Sequence, residues 1–346
     1  MGRTGRFLMT ALGRTVGIIG AGIAGLACAR TLAANAFDVK VFDKGRGVGG
    51  RTATRRAEPD LAFDHGAQYF TARDARLQKV TADWLSRGVV AEWLGCVVRL
   101  ENGAVTHTSP QPRYVGVPGM TAMAADLASA IRVQTRTQIV AMSRGPSGWT
   151  IKTDAHENFG SFETVVVTLP APQSAVFLQP HAFGAIASTL QMTPCWAVLV
   201  AFESKLEVPW DGAFVHNSPL SWVARNSSKP GRSGQSDCWV LHASPEWSAA
   251  HIEAAPDTAA RLLLDAFSSA IAQQLPPDSH LTAHRWRHSH GSDADDRRML
   301  FDPEVGLAVC GDWLAGGRVE GAFLSGVSAA EAICDSQGLK LGESGS

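Results

Sequence analysis

The chain has 346 residues, 45% hydrophobic and 18% charged, enough for two lobes with a core each and too apolar for a disordered protein. A formal net charge of -1 gives no field that would draw it to nucleic acid or to an anionic membrane, so neither is an expected partner. Cys28, Cys96, Cys195, Cys238, Cys310 and Cys334 are scattered without a C-x-x-C pair, which reads as reduced thiols in a cytoplasmic protein. Residues 1–13 contain arginines but lack the apolar core of about 7 to 15 residues that a signal peptide requires. Together with residues 339–346 they are expected to be flexible, and Met9 is a candidate start. No apolar run approaches the roughly 18 residues of a membrane span.

In chain order, Val16, Ile18 and Ile19 read as a buried strand, followed by Gly20, Gly22 and Gly25 where a strand turns into a helix. In this G-x-G-x-x-G pattern Gly20 makes the turn, Gly22 lets backbone approach a pyrophosphate, and Gly25 lets the helix pack on the sheet. The anion sits on the helix N-terminus, beside Ala24. The helix is expected to run to Asn35, and a second strand, Phe37 to Phe42, ends in Asp43. An acid about 20 residues beyond the turn accepts hydrogen bonds from a ribose 2′-OH. A lone glycine fingerprint is weak; here strand, helix, second strand and acid are all in register.

After Asp43 comes a second glycine-rich loop, Lys44 to Thr52, with Arg51 at its end. This pairing resembles the extended fingerprint of FAD-binding enzymes of the glutathione-reductase and amine-oxidase superfamily, in which such an arginine and its loop wrap the pyrophosphate and ribityl chain. FAD is therefore the expected cofactor, with Lys44 and Arg51 among its contacts. In the run from Ala62 to Asp74, Gly66 suggests a strand end and a loop that turns Gln68 and Tyr69 toward the cofactor.

A helix is expected over Arg76 to Trp93, then a hairpin turned by Asn102-Gly103. Gly116 to Met120 opens a helix from Thr121 to Ser129. Short strands at Ile131 to Ala141, Gly148 to Thr153 and Phe162 to Thr168 read as the three-stranded meander that the superfamily inserts into its nucleotide lobe, with Ile139 near the adenine. From Pro172 to Leu281 the pattern is aromatic-rich strands with one helix near Thr258 to Gln273. Val305 to Cys310 is a strand ending in Gly311-Asp312, where Asp312 could bind ribityl hydroxyls. Gly321 and Ala322 open a helix whose N-terminus would face the flavin pyrimidine ring and stabilise the reduced anion. The expected fold is α/β, a Rossmann-type FAD-binding lobe with an inserted β-meander plus a mixed α+β substrate lobe on an antiparallel sheet. The FAD-binding domain takes residues 14–75, 119–172 and 282–338; the substrate domain takes 76–118 and 173–281.

The segments GVGGRT, DHGAQYFTARD, GVPGM, ARNSSKPGR, LHASPEWS, RWRHS and CGDWLAGGRVEGAFLSG resemble, in order, those of the bacterial renalases, FAD oxidases within the amine-oxidase superfamily. The resemblance implies oxidation of 2-dihydro and 6-dihydro isomers of NAD(P) by hydride transfer to flavin N5. Dioxygen takes the electrons as hydrogen peroxide, and NAD(P)+ is released. It also implies that Asn226 and His242 face the nicotinamide. His65 stands where an apolar residue is expected, and Arg287-His288 is a second departure. Lys229 and Arg232 read as a solvated loop or as substrate pyrophosphate contacts, and Trp286 and Trp313 as ligand-packing or core residues. His284, His288 and His290 lack a metal-site pattern, so no metal is expected. An amine oxidase or desaturase of the same superfamily, and a flavin binder without turnover, remain alternatives. Tyr69 and Tyr114 are the only tyrosines, which speaks against an amine cage.

Overall fold

A computed structural model describes residues 14–232, 236–291 and 297–339; apart from Leu339, the ends expected to be flexible lie outside the described residues. The first strand, Thr15–Ile19, points Val16 and Ile18 to one face and Ile19 to the other. Its parallel neighbours, Asp38–Phe42 and Thr164–Val167, divide the same way: Val39, Val41 and Val166 on one face, Phe42, Val165 and Val167 on the other. A strand apolar on both faces needs cover on both. The sheet runs Met299–Asp302, Leu307–Cys310, Thr164–Val167, Thr15–Ile19, Asp38–Phe42, Arg132–Gln134, with only the first strand antiparallel.

Helices Ile23–Ala34 and Val319–Ser336 cover one face through Leu26, Leu32, Ala330 and Ile333. They cross so closely that a Cβ on Gly326 would lie 2.1 Å from the Ala24 carbonyl oxygen. A meander of Ile139–Gly145, Gly148–Thr153 and Asn158–Phe162 covers the other face, where a Cβ on Gly17 would meet the Ile151 side chain at 2.8 Å. The meander's expected outer strands are thus shifted. Arg132–Gln134 and Thr164–Val167 belong to the parallel sheet, because the run Thr164 to Val167 is buried throughout. The helix expected from Arg76 stops at Ser86: Gly88 takes φ +71 and Val90–Glu92 pairs with Tyr114–Gly116.

A second, seven-stranded sheet has the order Asp278–Gly291, Met192–Phe202, Asp237–Ala243, Leu220–Arg225, Gly212–His216, Val97–Glu101, Ala104–His107. Only the Gly212–His216 and Val97–Glu101 pair is parallel. Helix Pro256–Ile271 packs Leu263 and Phe267 against Trp196, Val198, Trp239 and Leu241 on one face. Each such side chain stabilises the fold by about 1.5–3 kcal/mol when fully buried. On the opposite face Ala197, Leu199 and Val240 meet Leu61 and Phe63, from the ribbon Thr54–Ala57 and Leu61–Asp64. Asp278–Gly291 stays in this sheet through all 14 residues, so the return to the nucleotide lobe expected at residue 282 comes only with Met299–Asp302. Three short helices, Ala171–Phe177, Ala182–Thr189 and Pro245–Ala250, interrupt the stretch read as strands. Among the described residues no helix is long and apolar enough to cross a membrane.

Candidate active site

The glycine turn is shaped by close approach. Gly20 has φ +113, and a Cβ on Gly25 would lie 2.1 Å from the Gly20 carbonyl oxygen, so the first helical turn rests on the turn before it. Gly22, the helix N-cap, has no side-chain cap, and a Cβ built on it meets nothing within 4 Å. Its backbone faces a cavity of about 660 Å³. The second glycine loop is tied to the first: Gly49 N–H donates to the Ala21 carbonyl at 2.8 Å. The Asp43 carboxylate accepts from Ala21 N and Gly45 N, both at 2.6 Å. Each carboxylate oxygen keeps a second lone pair for a ribose hydroxyl.

Arg51 leaves this loop to grip Asp312 with both nitrogens, at 2.8 and 2.5 Å, and donates to the Ser289 carbonyl at 2.8 Å. Both partners line the cavity, as do Gly317, Val319 and Ala322 at the start of the last helix. Glu320 also lines it, and its carboxylate accepts the N–H groups of Arg73 and Asp74 at 2.5 and 2.8 Å.

The opposite wall is aromatic, formed by Tyr69, Phe214, Trp222 and Trp286. His242 belongs to it. Along Asp237–Ala243, Trp239 and Leu241 face the helix-packed core while Cys238 and Val240 face the nucleotide lobe, and alternation puts His242 with the latter. Its Nε2 lies 3.3 Å from the His65 carbonyl, which also accepts from Trp286 Nε1 at 2.9 Å. A carbonyl only accepts, so Nε2 carries the proton and Nδ1 is left as an acceptor. Burial lowers the His242 pKa to about 3, so the ring is neutral at physiological pH. His65, the departure from the expected apolar residue, is pulled down to about 4, first by burial and then by His284; it packs edge-on to His284 and tilted on Trp286.

Behind Gln68 lies a knot of buried charge. Lys229 Nζ and Arg232 Nη2 reach Asp64 Oδ2 at 3.2 and 2.5 Å, with side-chain exposures of 0% for Asp64 and Lys229 and 2% for Arg232. Asp64 Oδ1 accepts from Thr54 Oγ1 at 2.7 Å and Met120 N at 3.0 Å. Burial alone would raise the Asp64 carboxyl, but Lys229, Arg232 and the Met120 N–H outweigh it and hold its pKa at about 2. Burial brings Lys229 down to about 8 against the pull of Asp64, which leaves it protonated at neutral pH. Gln68 joins the knot to the cavity: it lines the cavity, accepts from Lys229 at 3.1 Å and donates to the Asp64 carbonyl.

A family model described as flavin containing amine oxidoreductase matches residues 106–334, and one for a NAD(P)-binding Rossmann-like domain matches residues 18–84. The chain belongs to the flavin-containing amine oxidoreductase family. Its cofactor is FAD. The fold is close to that of a protoporphyrinogen oxidase from Exiguobacterium sp. 255-15, with a TM-score of 0.74 and 14% identity over 92% of this chain and 98% of that one. A redesigned putrescine oxidase gives 0.73 and 14% over 93% and 99%; the wild-type form bound to putrescine gives 0.68 and 14% over 94% and 99%. The bifunctional protein MnmC of Magnetococcus marinus, named for tRNA 5-methylaminomethyl-2-thiouridine biosynthesis, is 28% identical over 210 residues. That match spans 49% of this chain but only 31% of the relative.

The cavity fits an extended flavin dinucleotide. Uncapped helical N–H groups and the bare Gly22 suit a pyrophosphate, and the cavity continues past Arg51 and Asp312 to the N-terminus of the last helix. Gly22, Ala24, Arg51, Gln68, Tyr69, Asp312, Ala322 and His242 line it. Gly20, Gly25 and Gly321 stand behind that surface, the last because a Cβ there would overlap the Ala315 carbonyl oxygen. Lys44 is exposed on the second loop, and Ile139 is buried between the meander and the parallel sheet, packed with Phe42. Neither is at the cavity.

Two further expectations are corrected, and the alternatives for the two tryptophans are resolved. Asn226 does not face the cavity: fully buried, it donates to the Ala62 carbonyl at 2.7 Å and accepts from Asp64 N and Lys229 Nζ, each at 3.2 Å. Lys229 and Arg232 are not a solvated loop, because Asp64 draws both inward. Trp286 lines the cavity, whereas Trp313 is core, its Nε1 donating to the Leu169 carbonyl at 3.0 Å. Among the described residues no cluster of His, Cys, Asp or Glu is arranged to hold a metal ion, and the six cysteines are unpaired. Asp64 was missed; an acid directly after Phe63 in an apolar strand was the available signal.

Proposed function

We propose that this chain is a renalase-type FAD oxidase that takes hydride from 2-dihydro or 6-dihydro isomers of NAD(P) and reduces dioxygen to hydrogen peroxide, releasing NAD(P)+. The observation that carries this reading is the chemistry of the wall facing the flavin site. It offers broad aromatic faces and a neutral His242 whose Nδ1 accepts. Arg51, Arg73 and Arg318 line the cavity, and its two carboxylates, Asp312 and Glu320, are already engaged. Aromatic faces alone attract ammonium groups, but three arginines against two carboxylates, one of them paired with Arg51, leave the lining net positive, which disfavours a cationic amine. An uncharged dihydronicotinamide ring stacks on such a wall, and its carboxamide N–H can donate to His242. When bound, FAD supplies the hydride acceptor at N5 and passes both electrons on to oxygen. Fixing the carboxamide decides which ring carbon lies near N5, and small displacements in such a step cost rate steeply, on the order of a hundredfold per ångström. Reduced cysteines and a pyridine nucleotide substrate fit a cytoplasmic enzyme.

The test mixes oxygen-free enzyme with each isomer, with 4-dihydro NADH and with primary amines, and follows loss of flavin absorbance. The isomers are expected to bleach the flavin fastest. Bleaching by an amine and by neither isomer would overturn the proposal. His242→Ala should slow bleaching by the isomers while FAD stays bound; because its ring is neutral, His242 should add no titration to the wild-type rate between about pH 5 and 9.

A further inference from the structure

A second hollow adjoins the cavity. Gln111 and Phe214 line both, and the second, of about 430 Å³, is otherwise walled by Arg99, Thr108, Ser109, Pro110, Arg113 and His216. No carboxylate lines it. Glu101, two residues beyond Arg99 on the same strand, accepts from Asn217 at 2.9 Å instead. Arg113 is the unusual member: it is 5% exposed, and its Nε and Nη2 are buried without a hydrogen-bond partner. Its guanidinium carbon lies 5.4 Å from the centroid of Tyr69, a residue of the main cavity. Among the described residues no acid pairs with it. A desolvated guanidinium without a counter-ion is costly, and an anion in the hollow that Arg113 lines would offset its charge.

We infer that Arg113 and Arg99, with the Ser109 hydroxyl, form an anion subsite that holds a phosphate group of the reducing substrate. The planar fork of arginine matches phosphate oxygens two at a time, and the Ser109 hydroxyl supplies a further donor, whereas the Thr108 hydroxyl already donates to the Val97 carbonyl at 2.8 Å. Resting on the proposed oxidase reading, the substrate spans both hollows, with its oxidisable ring beside His242 and its phosphate beside Arg113. Tyr69, which lines the main cavity beside Arg113, packs against Trp222 with ring centroids 5.6 Å apart. A primary amine without phosphate uses neither arginine.

The experiment compares 2-dihydronicotinamide riboside with its 5′-phosphate in anaerobic flavin reduction, reading the apparent Kd of each. The phosphate should bind more tightly by roughly tenfold or more, the worth of charge-assisted hydrogen bonds to a buried arginine. Arg113→Met should bring the ratio of the two Kd values to about one, and Arg99→Ala should lower it in part. Flavin content and thermal midpoint show whether Arg113→Met has folded; if it has not, exposed Arg99 carries the test. A wild-type ratio near one, or one that survives both substitutions, would overturn the subsite. If neither compound reduces the flavin, the nicotinamide reading falls, and calorimetric titration of the holoenzyme with inorganic pyrophosphate decides the subsite separately. Binding that both substitutions weaken supports it, and no binding overturns it.

Discussion

Two walls of the same cavity are built from opposite materials. At Gly22 the wall is bare backbone, shaped by what side chains leave out: Gly25 allows the helix onto the turn, and Asp43 pins two glycine loops through their N–H groups. At Gln68 the wall is braced by three buried charges, the Asp64 carboxylate and the two cations it holds, Lys229 and Arg232. The backbone wall depends on empty space, so it fails when an atom is added. The charged wall depends on completeness, so it fails when an atom is removed, and its failure costs more.

Removing Asp64 is the most severe way to break that contrast. Asp64→Ala strands two buried cations and should cost roughly 3–5 kcal/mol in urea unfolding. A loss below about 1 kcal/mol would mean that Lys229 and Arg232 find other partners, because exposed pairs are worth no more than that. Adding a methyl at the turn comes next: Gly25→Ala should cost about 1–3 kcal/mol through overpacking against the Gly20 carbonyl. Acid acts more gently on the charged wall. With the Asp64 pKa depressed to about 2 in the fold, its contribution is complete above the unfolded value near 4 and is lost as pH falls through about 2, a change of about 2 kcal/mol. Asp64→Asn should flatten that acid limb, and an unchanged limb would place the acid sensitivity elsewhere. The smallest stability effect belongs to Gly22→Ala, whose Cβ meets no protein atom. Apoprotein stability should stay within about 0.5 kcal/mol of wild type. FAD retention should fall sharply; equal retention would show that the pyrophosphate does not pass over Gly22.

The same contrast explains what could be read from the amino acids. Gly20, Gly22, Gly25 and Asp43 act within one βαβ unit, so their spacing carries the geometry, and the parallel strands and crossing helix follow. Pro256–Ile271 was legible from its periodicity. The knot joins residues 64, 68, 226, 229 and 232 from two lobes, and no local period records such a meeting. Resemblance alone puts Asn226 at the substrate, and the local sequence leaves Lys229 in solvent or at a substrate pyrophosphate, whereas the fold draws both into the knot. For His242 alternation along the strand leaves two faces, and only the fold shows that the cavity lies on one of them. The meander was displaced because short β-branched runs such as Thr164–Val167 suit a parallel strand and an antiparallel one equally well.

The grip of Arg51 on Asp312 joins residues 261 positions apart, and the strand Thr164–Val167 pairs with Leu307–Cys310 only after the whole second sheet has been made. During synthesis the first helix therefore emerges long before the last helix that covers its flank. Long-range parallel pairing is slow to form, and apolar surface left open in the meantime invites aggregation. Of the two lobes, the one that starts to emerge first is the one that closes last, so the nascent chain carries an unsealed nucleotide fold until the strand Leu307–Cys310 and the helix Val319–Ser336 are made.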